Sequence, residues 1–417
     1  MTVTEPSRQL PVSAAADVVV AGGGMAGVAA ALAAARSGVS VLLLENTCML
    51  GGLATAGNVT VYLPIDDGRG RVVMGGIARE LLDLSVADIR HPAPVAGFRP
   101  PPAIWLDPAA GPEARADGPR FETGFNPWAC ALAMEELLLR EGVRILYDTR
   151  VCAAFRDGDR VSHLAIENKS GRTAVACGAV VDATGDADVC FLAGEPTVSI
   201  DANVAGGWFY TLQDGGKLWL HTSSHAFDKD AGKGNGAEGP FFRGDDGEQV
   251  TQQVLATREL HRKCLAKLRA DHPDEDFQPF NLPTIPCLRM TRRLVGAHEL
   301  AEGDMHRWFD DAVCLAPDWR RRGPVWAVPW RCLAATRTAN LAACGRCASW
   351  DLSAWDAMRV IPVCAGTGEA AGLGAALALR SGAPLAALPP GRLAAELRAR
   401  GALLDPDLVL SERAGFC

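Results

Sequence analysis

The chain has 417 residues, 48% hydrophobic and 22% charged, a composition that builds a large globular core and excludes a disordered chain. Its formal net charge of -8 offers no basic footprint for nucleic acid, and only six of the 41 basic residues are Lys, so its positive charge is nearly all guanidinium. Thirteen cysteines, an odd number without regular spacing, read as the reduced thiols of a cytoplasmic protein rather than a disulfide framework.

Residues 1–13 read as a flexible tail that lacks the charged and apolar regions of a secretion signal. Ala14 to Ala35 carries one charge, Asp17, but three consecutive glycines divide it, so no membrane span is expected there. Asp17–Ala21 reads as a buried parallel strand. The turn Gly22-Gly23-Gly24-Met25-Ala26-Gly27 follows, then an Ala/Leu-rich helix stopped at Gly38 and a second strand ending on Glu45. Residues 59–124 lose this pattern, apart from a helix near Gly76–Ser85. Asn126-Pro127 opens another helix, an N-cap followed by Pro at its first position, and the helix runs to Arg140. Three strand-like runs at 144–155, 160–168 and 172–177 are separated by Gly-containing turns, the pattern of a β-meander. Gly178–Asp182 reads as a further strand. The stretch 226–248 reads as a mobile flap or loop, and its Gly-Lys-Gly-Asn at 232–235 lacks the strand and the Ser/Thr of a phosphate-binding P-loop. A strand is expected at 341–345, a helix from Gly366 to Arg380, and a final helix near 391–403.

Gly22, Gly24 and Gly27 have the GxGxxG spacing. The first allows a tight turn off the strand, the second lets a pyrophosphate approach the backbone, and the third lets helix pack on sheet. Glu45, at the tip of the second strand, is placed for the two hydroxyls of an adenosine ribose. "GGLATAG" at 51–57 and "VVDATGDAD" at 180–188 add two turns with little side chain to obstruct a long cofactor.

These segments, with "RRLVGAHELAEGDM" at 292–305 and 340–378, resemble the FAD-dependent oxidoreductases of the glutathione-reductase-like superfamily. Within them the chain is most similar to the family that shares its flavin domain with the heterodisulfide reductase A subunit. The resemblance covers about half the chain, in the family's order. It implies a Rossmann-like α/β domain binding FAD, with a β-meander, assembled from 14–58, 125–200 and 326–385. A mixed α/β substrate or cap domain would come from 59–124 and 201–325, and a helical extension from 386–417. The adenosine end would lie at Glu45, Asn46 and Val151, and the pyrophosphate at Gly24, Met25, Ala26, Gly27, Gly345 and Arg346. Ala183, Thr184 and Gly185 would pass along the ribityl and pyrophosphate part. The flavin would be cradled by Gly51, Gly52, Leu53, Ala54, Thr55 and Arg359, and by a helix starting near Gly366 and Gly368, whose N-terminal dipole would stabilise a reduced ring.

With one GxGxxG unit, no separate NAD(P)H domain is expected, so hydride would come to flavin N5 from an organic small molecule. No iron–sulfur ligand set is present; Cys344 and Cys347 form the lone CxxC and read as packing. Arg289, Arg292 and Arg293 would either hold a substrate carboxylate or enolate, or form internal ion pairs with Glu299, Glu302 or Asp304. Tyr62 and His298 are candidate general bases. His221 and His225 lack a third ligand, so no metal is expected. Six of the ten Trp lie between 308 and 355, lining either an aromatic substrate pocket or the core. The substrate would be apolar, aromatic or carboxylate-bearing; the electron acceptor and homo-oligomer formation stay open. Rival readings are an FAD-carrying electron-transfer subunit and a tRNA-modifying flavoprotein, the latter disfavoured by the acidic charge.

Overall fold

The computed structural model describes residues 2–4, 6–89, 95–96, 100–225 and 239–410. The elements used below are, in chain order, β1 (Val12–Ala21), α1 (Met25–Ala35), β2 (Val41–Leu44), α2 (Gly76–Val86), α3 (Pro127–Arg140), β3 (Arg144–Leu146), β4 (Arg150–Asp157), β5 (Arg160–Asn168) and β6 (Gly171–Asp182). They continue with β7 (Gly206–Gln213), β8 (Lys217–Ser224), α4 (Gly247–Asp271), β9 (Gln278–Asn281), β10 (Arg292–Leu294), β11 (Ala312–Pro317), β12 (Val325–Pro329), β13 (Leu341–Ala343), α5 (Ile361–Ser381) and α6 (Pro390–Ala399).

The main sheet has the order β3-β2-β1-β6-β5-β4, with β13 joined to β6. β3, β2, β1, β6 and β13 run parallel, and β6, β5 and β4 form an antiparallel meander. β6 does both jobs. Its first half pairs with β5 from Gly171 to Ala176, and its last residues pair with β13 from Val180 to Asp182, while β1 lies along nearly its whole length. A strand covered on both faces must be apolar throughout, and Val18–Ala21, Val41–Leu44 and Val180–Val181 are buried.

Four sequence expectations are corrected here. β1 starts at Val12, so Val12 and Ser13 of the expected tail, and Ala14–Ala16 ahead of the expected strand, belong to it; Ala14–Ala16 pair with Val175–Cys177. The two strands expected at 172–177 and 178–182 are one, because Gly178 continues the ladder opposite β1 at a point where a Cβ would meet the Asp17 carbonyl oxygen at 2.8 Å. The run 144–155 divides into β3 and β4 at Asp148, whose φ is +48°. The helix expected from Gly366 begins at Ile361, with Pro362 in its first turn. α2, α3 and the meander turns fall where expected, and Asn126 caps α3 by accepting from the Trp128 and Ala129 N–H groups.

A second sheet, β9-β7-β8 with Val95–Ala96 on its edge, carries α4 on one face. Residues 226–238 of the expected flap lie outside the described residues, as do 411–417 of the C-terminal extension. β11 and β12 form a hairpin buried against α5. α5 is long and apolar enough to cross a membrane by length and composition, and it lies buried inside the fold. It crosses α1 at very short range. A Cβ on Gly368 would sit 2.1 Å from the Ala26 carbonyl oxygen, and one on Gly372 would sit 2.0 Å from that of Ala30.

Candidate FAD-binding site

The carboxyl ends of β1, β2, β6 and β13 meet at one edge, where open α/β sheets place their ligands. Gly22 leaves β1 with φ +100°, and its N–H donates to the Leu44 carbonyl at 2.7 Å. A Cβ on Gly22 would strike the Ala183 carbonyl oxygen at 2.4 Å, and one on Gly27 would strike that of Gly22 at 1.8 Å. These two glycines therefore weld turn, helix and strand together. Gly24, which precedes the first residue of α1, differs: a Cβ there meets nothing within 4 Å. Open space in front of a helix N-terminus is the geometry for an anion.

Glu45 is buried at the end of β2. One carboxylate oxygen accepts from the Gly23 N–H at 2.7 Å, and the other accepts from the Thr47 N–H and Oγ1, both at 2.7 Å. Asn46 lies between these contacts, and Asp148 and Thr149, just ahead of Val151 in β4, hydrogen-bond to the carbonyls of Thr47 and Glu45. Gly51 pairs with Gly24, its N–H donating to the Gly23 carbonyl at 2.8 Å, and Gly52, Leu53 and Ala54 continue as one 3-10 turn. Thr55 closes that turn by hydrogen-bonding its hydroxyl to the Leu50 carbonyl.

On the other side, the Asp182 carboxylate holds the turn Ala183-Thr184-Gly185 by accepting from the Thr184 N–H, the Thr184 hydroxyl and the Cys190 N–H. Arg346 lies over Gly185 and pairs with Asp186 at 3.1 Å. Its Nε is a buried donor with no hydrogen-bond partner. Gly345 abuts Ala26 of α1, so this turn and the α1 N-terminus border one space. The donor set suits a pyrophosphate: helix N-terminus, open glycine and unsatisfied guanidinium nitrogen. The Glu45 carboxylate stands at the neighbouring strand tip. These residues fit FAD.

The profile of the family described as FAD dependent oxidoreductase matches residues 17–205 and 236–399. The chain belongs to this family. FAD is its cofactor and oxidation–reduction its chemistry. No curated protein sequence matches it. Among solved structures it is similar to a geranylgeranyl bacteriochlorophyll reductase-like protein from Thermoplasma acidophilum, with 14% identity and a TM-score of 0.43, covering 96% of each chain. It is also similar to the p-nitrophenol 4-monooxygenase of Pseudomonas putida, at 15% identity and TM-score 0.42, covering 93% of this chain and 84% of that one. A third is the 3-ketosteroid-delta4-(5alpha)-dehydrogenase of Rhodococcus jostii, at 15% identity and TM-score 0.40, covering 88% of this chain and all of that one.

Within this FAD-dependent oxidoreductase the expected flavin-side residues divide. Arg289 is buried on the segment before β10, and burial, reinforced by the nearby Arg359 charge, lowers its guanidinium pKa from the usual value. Arg359 ends the helix Leu352–Met358 and pairs with Asp356. The structure brings these two arginines together. Asn203, a residue without any sequence signal, pins the Arg289 segment. Its Oδ1 accepts from the Arg289 and Met290 N–H groups at 2.7 and 3.2 Å, and its Nδ2 donates to the Met290 carbonyl at 3.0 Å. Beside them is a cavity of about 10 Å³, room for one water, lined by Asn203, Ser224, Cys287 and Arg289.

Arg293 gives both terminal nitrogens of its fork to the two oxygens of Glu299, at 3.0 and 2.6 Å, so it forms one of the internal ion pairs the sequence allowed, while its Nε is buried without a partner. Arg292 pairs with Asp188 at 2.5 Å. Tyr62 is corrected. It has no exposed surface, and its hydroxyl donates to the Ala78 carbonyl of α2, which makes it a packing residue. His298 sits in the loop after β10, its Nε2 2.9 Å from an Asp304 carboxylate oxygen and its ring edge-on to Phe309. Gly366 and Gly368 are not at a helix start: they lie inside α5, against Cys314 and Ala26, and the N-terminus expected at the flavin belongs instead to Val360-Ile361-Pro362.

The tryptophans resolve toward the core. Trp326, Trp330, Trp350 and Trp355 are buried, each giving its indole N–H to a backbone carbonyl. Cys344 and Cys347 are fully buried, and burial pushes both thiols well above the ordinary range, which leaves them unreactive. No group of three or more metal-ligating side chains occurs among the described residues. A surface depression of about 540 Å³ lies at the opposite end of the sheet, lined by Asp17, Ser40, Asp157 and Arg160. The donor geometry, rather than the size of the hollow, marks the site.

Proposed function

We propose that this protein is a cytoplasmic dehydrogenase or oxidase that takes hydride from an organic small molecule and has no NAD(P)H domain of its own. The observation that carries this reading is the single glycine-turn βαβ unit, β1-α1-β2, among the described residues. The second sheet is built mainly on the antiparallel pairs β7–β8 and β7–β9, and its short parallel pairing of Leu218 and Trp219 with Val95 and Ala96 has no glycine-turn βαβ unit among the described residues.

Bound FAD supplies the hydride acceptor, its N5. Gly24 and Arg346 hold the pyrophosphate and Glu45 the ribose. Arg289 and Arg359 hold a substrate carboxylate, or the negative charge that develops on an oxygen, by forked hydrogen bonds. Burial of Arg289 strengthens that contact by keeping water from competing. The Asn203 carboxamide fixes the backbone that presents Arg289. His298, oriented by Asp304, takes the proton released with the hydride.

The test is anaerobic incubation of the yellow protein with a panel of carboxylate-bearing and neutral organic compounds, and separately with NADH and NADPH. Bleaching by an organic compound and by neither nucleotide is the expected result. Bleaching by a reduced nucleotide alone overturns the reading, because it requires a nucleotide site the single βαβ unit does not provide.

A further inference from the structure

The turn that carries Arg346 is held from both sides. Trp350 gives its indole N–H to the Gly345 carbonyl at 2.9 Å, and Trp355 gives its own to the Arg346 carbonyl at 2.7 Å. The Gly345 N–H donates to Thr367 Oγ1 at 3.0 Å, and that hydroxyl in turn donates to the Val363 carbonyl of α5 at 2.7 Å. Both carbonyls of the turn and the Gly345 N–H are therefore satisfied inside the protein. Gly345 itself has φ +69°, and Ala26 lies where its Cβ would point. The buried donor left over on this turn, which abuts Ala26 of α1 through Gly345, is Arg346 Nε.

We infer that Trp350 and Trp355 are positioning residues for the cofactor: their indole N–H groups orient the Gly345–Arg346 turn so that the Arg346 guanidinium meets the FAD pyrophosphate. Two rigid rings do this better than flexible side chains, because an indole buried on all sides has one orientation and its single N–H one direction. Each bond also ties up a carbonyl oxygen that would otherwise present negative charge close to a dianionic pyrophosphate. Asp186 holds the guanidinium through Nη2 and leaves Nε, on the same edge, as the donor without a partner.

The experiment measures FAD dissociation from the holoprotein, read as recovery of free-FAD fluorescence after dilution. The variants are Trp355→Phe, Trp350→Phe, Arg346→Met and the double variant Trp355→Phe with Arg346→Met. Phe keeps the ring and removes the N–H. Trp326→Phe is the control, since it removes the same kind of bond, to the Ala301 carbonyl. Each clamp variant is expected to release FAD about tenfold faster, the control at the wild-type rate. In the Arg346→Met background, Trp355→Phe should add nothing further. Equal rates for clamp and control variants overturn the inference. So does an undiminished Trp355→Phe effect once Arg346 is gone, since that is the signature of a general loss of packing. If Trp355→Phe does not fold, Trp350→Phe with and without Arg346→Met makes the same comparison.

Discussion

Replacing Gly24 by Ala separates cofactor binding from folding at one atom. Gly24 has φ -64° and ψ 176°, a conformation any residue adopts, and its added methyl meets nothing within 4 Å. The unfolded chain loses freedom, which stabilises by about 0.4–1 kcal/mol. Ala is a poorer N-cap than Gly, which costs up to about 1 kcal/mol. The two nearly cancel, so the apoprotein should melt within a few degrees of wild type. The methyl nevertheless fills the space from which the pyrophosphate would approach the α1 N–H groups. Losing one charge-assisted hydrogen bond costs about 1.5–3 kcal/mol, so FAD affinity should fall roughly 10- to 150-fold. Fluorescence titration of the deflavinated protein measures the affinity, and circular-dichroism melting measures the fold. Gly27→Ala provides the contrast: its methyl would overlap the Gly22 carbonyl at 1.8 Å, and that variant should lose the fold itself. Wild-type FAD affinity in Gly24→Ala would refute the assignment of Gly24 to the cofactor. A large loss of apoprotein stability would show that its role is structural.

Glu369, buried in α5, accepts from the Ile77 N–H at 2.9 Å, and burial pushes its carboxyl up to about 7. A folded-state pKa above the unfolded value favours the native state below about pH 4.5, and that advantage is lost as pH rises through 7. Glu369→Gln should remove it, so wild type should lose on the order of 3 kcal/mol relative to the variant between pH 5 and 8, read by urea unfolding. Tyr62→Phe should cost about 1 kcal/mol in the same assay and leave turnover unchanged; a hundredfold fall in kcat would restore Tyr62 as a base. Arg289→Lys should raise KM for a carboxylate substrate tenfold or more, whereas Arg293→Lys should leave KM and kcat within twofold; the reverse order would contradict the two assignments.

What the sequence made legible was local. Gly22, Gly24, Gly27 and Glu45 lie within one short unit, where turn chemistry and strand ends are read from neighbours, and Asn126-Pro127 is a helix start of the same kind. α4 was hidden because the residues it buries are Gln253, Thr257 and His261, which break any apolar period. Pro362 marked the true start of α5, but the glycines after it drew attention to a start that is really a helix crossing. The fates of Arg289 and Arg293, four residues apart, depend on Glu299 and on Asn203 from another part of the chain. Sequence spacing carries no trace of such a difference. The tryptophan cluster read as core more readily than as pocket, and the partners of its indole N–H groups bear that out.

The most direct test of the account is the visible spectrum of the purified protein, with the released chromophore identified by mass. The account predicts the two absorption bands of an oxidised flavin and FAD as the released molecule, in near one-to-one amount after reconstitution. A colourless protein that takes up no FAD would contradict it, and would leave the glycine turn of β1 and α1 as fold without cofactor.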